Sequence, residues 1–137
     1  MTKKLAIGLM FALGAVGCGG GGRHAGVQTY TLVQNIPESV LAGTCAIVEG
    51  PYSVPEGAEM EYYVSTQFLD DDFDVGVVDD RIRGCDPSAG YGYAQRLQND
   101  VISTGPVPSG AYTLQIACYN TSGAPCAPDL NYWRATY

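Results

Sequence analysis

Ala58-Glu59-Met60-Glu61-Tyr62-Tyr63-Val64-Ser65-Thr66-Gln67-Phe68 alternates without a break. Met60, Tyr62, Val64, Thr66 and Phe68 fall on one side, and Glu59, Glu61, Tyr63, Ser65 and Gln67 on the other. Side chains of a strand alternate between faces, so this order predicts a half-buried strand over 58–68. A helix does not fit, because Glu59 and Glu61 would then flank the apolar residues instead of opposing them.

The same period of two runs outward in both directions. Downstream, LDDDFDVGVVDD sets Phe73, Val75 and Val77 against Asp72, Asp74 and Gly76. Arg81 to Gly90 reads as loop, with turn chemistry in Asp86-Pro87-Ser88-Ala89-Gly90. Tyr91, Tyr93, Gln95 and Leu97 share a side, and Val101-Ile102-Ser103 continues that run. Gly105-Pro106-Val107-Pro108-Ser109-Gly110 predicts a rigid turn, after which Tyr112, Leu114, Ile116 and Cys118 form an apolar face. Leu130 to Tyr137 sets Tyr132 and Arg134 against Trp133, Ala135 and Tyr137. Upstream, Thr29 to Val33, Thr44 to Val48 and Pro51 to Val54 are short β-rich runs, and Glu38 to Ala42 has room for a helical turn. Short strands punctuated by turn residues, with no amphipathic helix, predict an all-β fold: an antiparallel β-sandwich, jelly-roll-like, with a small β-barrel as the alternative.

The N-terminus is of another kind. Lys3 and Lys4 precede a 12-residue apolar run, Leu5 to Val16, and small residues then lead to Cys18 and a run of glycines. A membrane-spanning helix takes about 20 residues, so the run suits the core of a secretory signal peptide. Ala15-Val16-Gly17-Cys18 resembles the lipobox of bacterial lipoproteins. That resemblance implies cleavage before Cys18, diacylation of its thiol and an address in the bacterial cell envelope, lipid-anchored at the outer membrane. Residues 1–17 are then the signal peptide, 18–26 the lipidated cysteine with a Gly-rich flexible spacer, and 27–137 a single β-sandwich domain. His24, the only histidine, lies in the spacer.

Cleavage before Cys18 leaves 120 of the 137 residues and removes both lysines. Five arginines then face 14 carboxylates, a net charge of −9. Such a surface repels phosphate backbones, which excludes nucleic acid as a partner. Lipidation occupies Cys18, and Cys45, Cys85, Cys118 and Cys126 remain. An even count outside the cytoplasm predicts two disulfides, for which three connectivities exist. Proximity favours Cys118 with Cys126, which leaves Cys45 with Cys85. A zinc site would call for paired C-x-x-C knuckles, and the spacing has none.

Asp70, Asp71, Asp72, Asp74, Asp79 and Asp80 crowd into eleven residues. Asp70-x-Asp72-x-Asp74 copies the start of an EF-hand loop, which makes these three the candidate calcium ligands. The copy stops at Val75, where such a loop has glycine, and at Arg81, where it has glutamate. The competing expectation is a solvated acidic strand edge that blocks aggregation.

Catalysis has little to work with. No lysine and no ordered histidine remain in the mature chain, and paired cysteines are not nucleophiles, so no enzyme activity and no catalytic residue is expected. A carboxylate-based glycosidase is the one enzyme class the composition leaves open. Binding has more support: ten tyrosines and Trp133 offer flat faces with polar tips, and Tyr63, Tyr91, Tyr93 and Tyr119 are candidates for an outward surface meeting a glycan or protein partner.

Val54-Pro55-Glu56-Gly57 before a strand, Asp72-Phe73-Asp74 within one, and Pro108-Ser109-Gly110-Ala111-Tyr112 before the last strands resemble, in that order, bacterial pre-peptidase C-terminal domains. The resemblance implies a small jelly-roll sandwich acting as a non-catalytic binding or stabilising module, with calcium in some members. The expected function is therefore an accessory or binding lipoprotein of the envelope.

Overall fold

The computed structural model describes residues 26–95 and 100–137. The expected signal peptide, lipidated Cys18, most of the spacer and Leu97 lie outside the described residues. Eight strands follow one another: β1 (Thr29–Pro37), β2 (Cys45–Val54), β3 (Ala58–Ser65), β4 (Phe73–Asp79), β5 (Tyr91–Ala94), β6 (Asp100–Val107), β7 (Gly110–Cys118) and β8 (Asp129–Thr136). A 3-10 turn, Pro87–Ala89, precedes β5.

The strands form two four-stranded antiparallel sheets, β1-β8-β3-β6 and β2-β7-β4-β5. β1 pairs with β8, β2 with β7, β3 with β6 and β4 with β5. The chain is thus one long hairpin rolled around its own core, which is the jelly-roll arrangement expected. It is a sandwich of two sheets and not the closed barrel of the alternative.

The alternation legible in the sequence is the alternation of burial. Met60, Tyr62 and Val64 from β3, Phe73, Val75 and Val77 from β4, Tyr112, Leu114 and Ile116 from β7, and Leu130, Trp133 and Ala135 from β8 are fully buried between the sheets. Each large side chain removed from water contributes roughly 1.5–3 kcal/mol, so the eleven besides Ala135 make this interface the main source of stability. The Tyr62 hydroxyl, buried among them, donates to the Gly92 carbonyl across the seam between the sheets. Burial pushes its pKa up, so the phenol stays neutral and keeps donating.

Several boundaries differ from expectation. β3 stops at Ser65, because the Thr66 hydroxyl accepts from the Phe68 amide and turns the chain, leaving Phe68 exposed. β2 runs on through Gly50-Pro51 to Val54, absorbing the break as two register irregularities. Asp100 to Val107 is not a continuation of β5 but a strand of the other sheet, and the rigid turn shrinks to Pro108-Ser109. Residues 38–42 form no helical turn; Val40 instead makes an isolated bridge with Cys126.

The second face of β4 differs most. The alternation sets Asp72, Asp74 and Gly76 on the face opposite Phe73, Val75 and Val77, yet all six residues from Phe73 to Val78 are buried. The β4–β5 loop folds back over the outer face of β2-β7-β4-β5. A Cβ at Gly76 would collide with the Pro87 carbonyl, so only glycine lets the loop lie this close. Gln115, buried under the loop, accepts from the Asp86 amide at 2.8 Å and donates to Thr113 at 3.1 Å. The Cys45–Cys85 disulfide fastens the loop to the first residue of β2, while Cys118–Cys126 closes the β7–β8 loop. Both favoured pairings are formed.

The outer face of β1-β8-β3-β6 is uncovered and polar. The Glu61 carboxylate accepts from Arg134 and from the Tyr132 hydroxyl, and the guanidinium lies 4.3 Å over the Tyr132 ring. Partial burial works against ionisation of Glu61, but the two donors and the Arg134 charge outweigh it and hold its pKa below the ordinary glutamate value.

Gly76→Ala is expected to lower stability by about 1–3 kcal/mol, and Cys45→Ser with Cys85→Ser by about 2–4 kcal/mol, both read from urea unfolding with the β-type circular dichroism retained. The pKa of Glu61 is depressed on folding, so its contribution is present above the unfolded value and lost as pH falls through the folded one. Glu61→Gln is expected to flatten the acid limb of the stability–pH curve, most visibly below the ordinary glutamate range.

Candidate functional site

β1 starts at one end of the sandwich, and the strands alternate in direction. The β1–β2, β3–β4 and β7–β8 loops therefore gather at the opposite end, and Asp71 binds them together. Its carboxylate accepts from Asn120 Nδ2 at 3.0 Å, from the Thr66 hydroxyl at 3.0 Å and from the Ala127 amide at 3.1 Å. Asn120 reaches back through Oδ1, accepting from the Asp72 amide at 2.8 Å, and also donates to the Ala124 carbonyl. The Val40–Cys126 bridge and the bond from the Gly43 amide to the Cys118 carbonyl add the β1–β2 loop to the cluster.

This frame supports an open depression of about 380 Å³ lined by Asp72, Asp74, Gln95 and Tyr119. Asp72 is the last residue before β4, and its carbonyl accepts from the Tyr119 amide at 2.7 Å. That bond fixes where the Tyr119 ring begins, and 53% of the residue is exposed. Asp74 is buried on the outer side of β4, where Tyr93 of β5 donates its hydroxyl proton to Asp74 Oδ2 at 2.8 Å. Gln95 in turn donates to the Tyr93 oxygen at 3.0 Å. The Gln95 amide favours the phenolate, but the carboxylate that holds the Tyr93 proton prevails and raises its pKa. At neutral pH the line Gln95 to Tyr93 to Asp74 is a row of oriented dipoles ending on a carboxylate. It presents acceptor oxygens, an amide and an aromatic face in one place.

The expected site residues are divided by this geometry. Asp72 and Asp74 share the depression; Asp70 lies exposed in the β3–β4 turn and does not line it. Among the described residues, no three His, Cys, Asp or Glu side chains are grouped so as to hold a metal ion. The solvated acidic edge is also corrected: β4 lies between β7 and β5, and Asp71 and Asp74 are buried. Tyr119 lines the depression, and Tyr93 is tied to it through its bond to Asp74. Tyr91 points elsewhere, packing edge-on against Tyr112 at 6.1 Å, and Tyr63 stands on the other sheet beside Tyr132. The residue that sequence reasoning passed over is Asp71. Three adjacent aspartates look alike in a sequence, and its main partner, Asn120, stands 49 positions away.

No protein-family model, curated protein or solved structure matches the chain.

Asp71→Ala is expected to destabilise the domain by about 3 kcal/mol, since it strands donors that end on a charged group. Thermal unfolding measures this. Asp70→Ala, in the same run of aspartates, is expected to change the melting temperature little.

Proposed function

We propose that this protein is a non-catalytic binding module, anchored to the bacterial envelope through a lipidated Cys18, whose ligand seats in the depression at the loop end of the sandwich. One observation carries the reading: Tyr119, Gln95, Asp72 and Asp74 line one open depression. An exposed tyrosine ring offers its face to the C–H side of a sugar, and carboxylate and amide groups match an array of hydroxyls. A hydroxyl-rich glycan is thus the ligand class whose chemistry fits. The described residues contain no histidine and no lysine, which favours binding over acid–base turnover.

Anchoring rests on the Lys3 to Cys18 sequence and agrees with two disulfides, which persist in oxidising compartments. β1 begins at the end opposite the depression. A lipid at Cys18 would therefore tether the domain from the end away from the ligand. A second reading adds calcium to the same place. It has support in Asp72 and Asp74 sharing the depression, since paired carboxylate oxygens suit that ion.

The test has two parts. Mass spectrometry of the membrane-extracted chain is expected to find a diacylated N-terminal Cys18 and none in Cys18→Ala. Calorimetric titration with neutral mono- and disaccharides, in calcium and in chelator, is expected to detect binding that Tyr119→Ala weakens about tenfold, the loss of one aromatic contact. Binding only in calcium selects the second reading, and equal binding in chelator removes it.

A further inference from the structure

A sheet edge carries unpaired backbone groups, and folded proteins guard such edges with charge, proline, bulges or shortness. Three of the four edges here are guarded. β2 contains Glu49 and Pro51 and is irregular in register at two places. β5 is four residues long. β6 carries Asp100 and Pro106, and its Ser103 carbonyl and Thr104 side chain lie against Gly92 of β5. β1 is different. It ends at Pro37 and its register is irregular once, between Thr31 and Val33, but it is nine residues long, lies at the edge of β1-β8-β3-β6, and from Gly26 to Pro37 has no charged side chain, so its first three residues are a regular, uncharged edge.

The direction of its free groups follows from the pairing. Gln28 and Tyr137 exchange both main-chain bonds, at 2.9 and 3.0 Å. Bonding alternates along an antiparallel ladder, so Tyr30 faces β8 and the N–H and C=O groups of Thr29 and Thr31 point outward. Both threonines are exposed. We propose that this edge pairs with β1 of a second copy of the chain, forming a two-fold dimer with one continuous eight-stranded sheet.

The charge distribution selects that partner. Two copies of a chain with 14 carboxylates repel each other over most of their surface, and the β1 edge lets them meet with no charge in contact. With Thr29 of each copy exchanging bonds with Thr31 of the other, the two Tyr30 residues face each other across the axis. Each already stacks on its own Tyr137 at a centroid distance of 4.5 Å, so the pairing joins two aromatic pairs into one row. Aromatic residues directly opposite in an antiparallel pair attract. The interface is isologous and closes at two copies. Its two-fold axis runs normal to the sheet, so the two β1 strands run antiparallel and the sheet continues from one copy into the other.

Sedimentation equilibrium of residues 18–137 carrying Cys18→Ala, which include the whole sandwich, tests this apart from any lipid or ligand. A monomer–dimer equilibrium in the micromolar range is expected. Thr29→Lys with Thr31→Lys should leave it monomeric with an unchanged melting curve. Hydrogen exchange is the second measure: the Thr29 and Thr31 amides should gain at least tenfold protection as concentration rises, in the unsubstituted chain only. A monomer at every concentration overturns the proposal. So does a dimer that survives both lysines, or association that continues beyond two copies.

Discussion

The loop end of the molecule depends on one carboxylate. Asp71 is buried between β3 and β4, and its acceptors are filled from both flanking directions, by Thr66 from the strand before it and by Asn120 and Ala127 from the β7–β8 loop. A buried charge is costly unless hydrogen bonds satisfy it, and once satisfied it fixes its partners more strictly than apolar packing does. The Asp72 amide is held by the same Asn120, and the Asp72 carbonyl then holds Tyr119. The floor of the depression is therefore built on Asp71, although Asp71 does not line it. The Cys118–Cys126 disulfide acts in the same place by shortening the span over which the β7–β8 loop can wander.

The two sheets show how much of this could be read from the chain. β3, β4, β7 and β8 each bury the face their alternation marks, because a period of two leaves no choice once one face is apolar. The outer face of β4 was misread for a local reason. Gly76 and Asp74 look like solvent positions, and only the folded chain brings Pro87 over them. A polar residue such as Gln115 gives no sign of burial until its partner, the Asp86 amide 29 positions away, is known. Elements defined by their own neighbours were legible, whereas contacts between loops distant in sequence were not. That distinction also divides the site. Tyr119 could be named as an outward aromatic, but its place at the depression depends on Asn120 and Asp71, for which no local pattern exists.

The two outer faces take opposite solutions to the same problem. A sheet must cover or hydrate its second face. β2-β7-β4-β5 is covered by the β4–β5 loop, which the sheet holds through a glycine, a glutamine and a disulfide. β1-β8-β3-β6 is hydrated, and its outer residues satisfy one another through Glu61, Arg134 and Tyr132. The concavity appears where loops meet at the end of the sandwich, which is where connecting segments are free to vary while the strands hold them.

Acidity and association act on different parts of this surface. Carboxylates at Asp70, Asp80 and Asp86 are exposed on the loops at both ends, where like charge keeps copies apart in solution. Backbone edges act over a much shorter range and only along a strand. The β1 edge, which carries no charged side chain, therefore offers a geometry in which two copies approach without like charges in contact. That geometry leaves the depression open, because the β4–β5 side of the opposite sheet lies remote from β1 in the strand order. Ligand binding and self-association are separable on this fold, and each can be lost without the other.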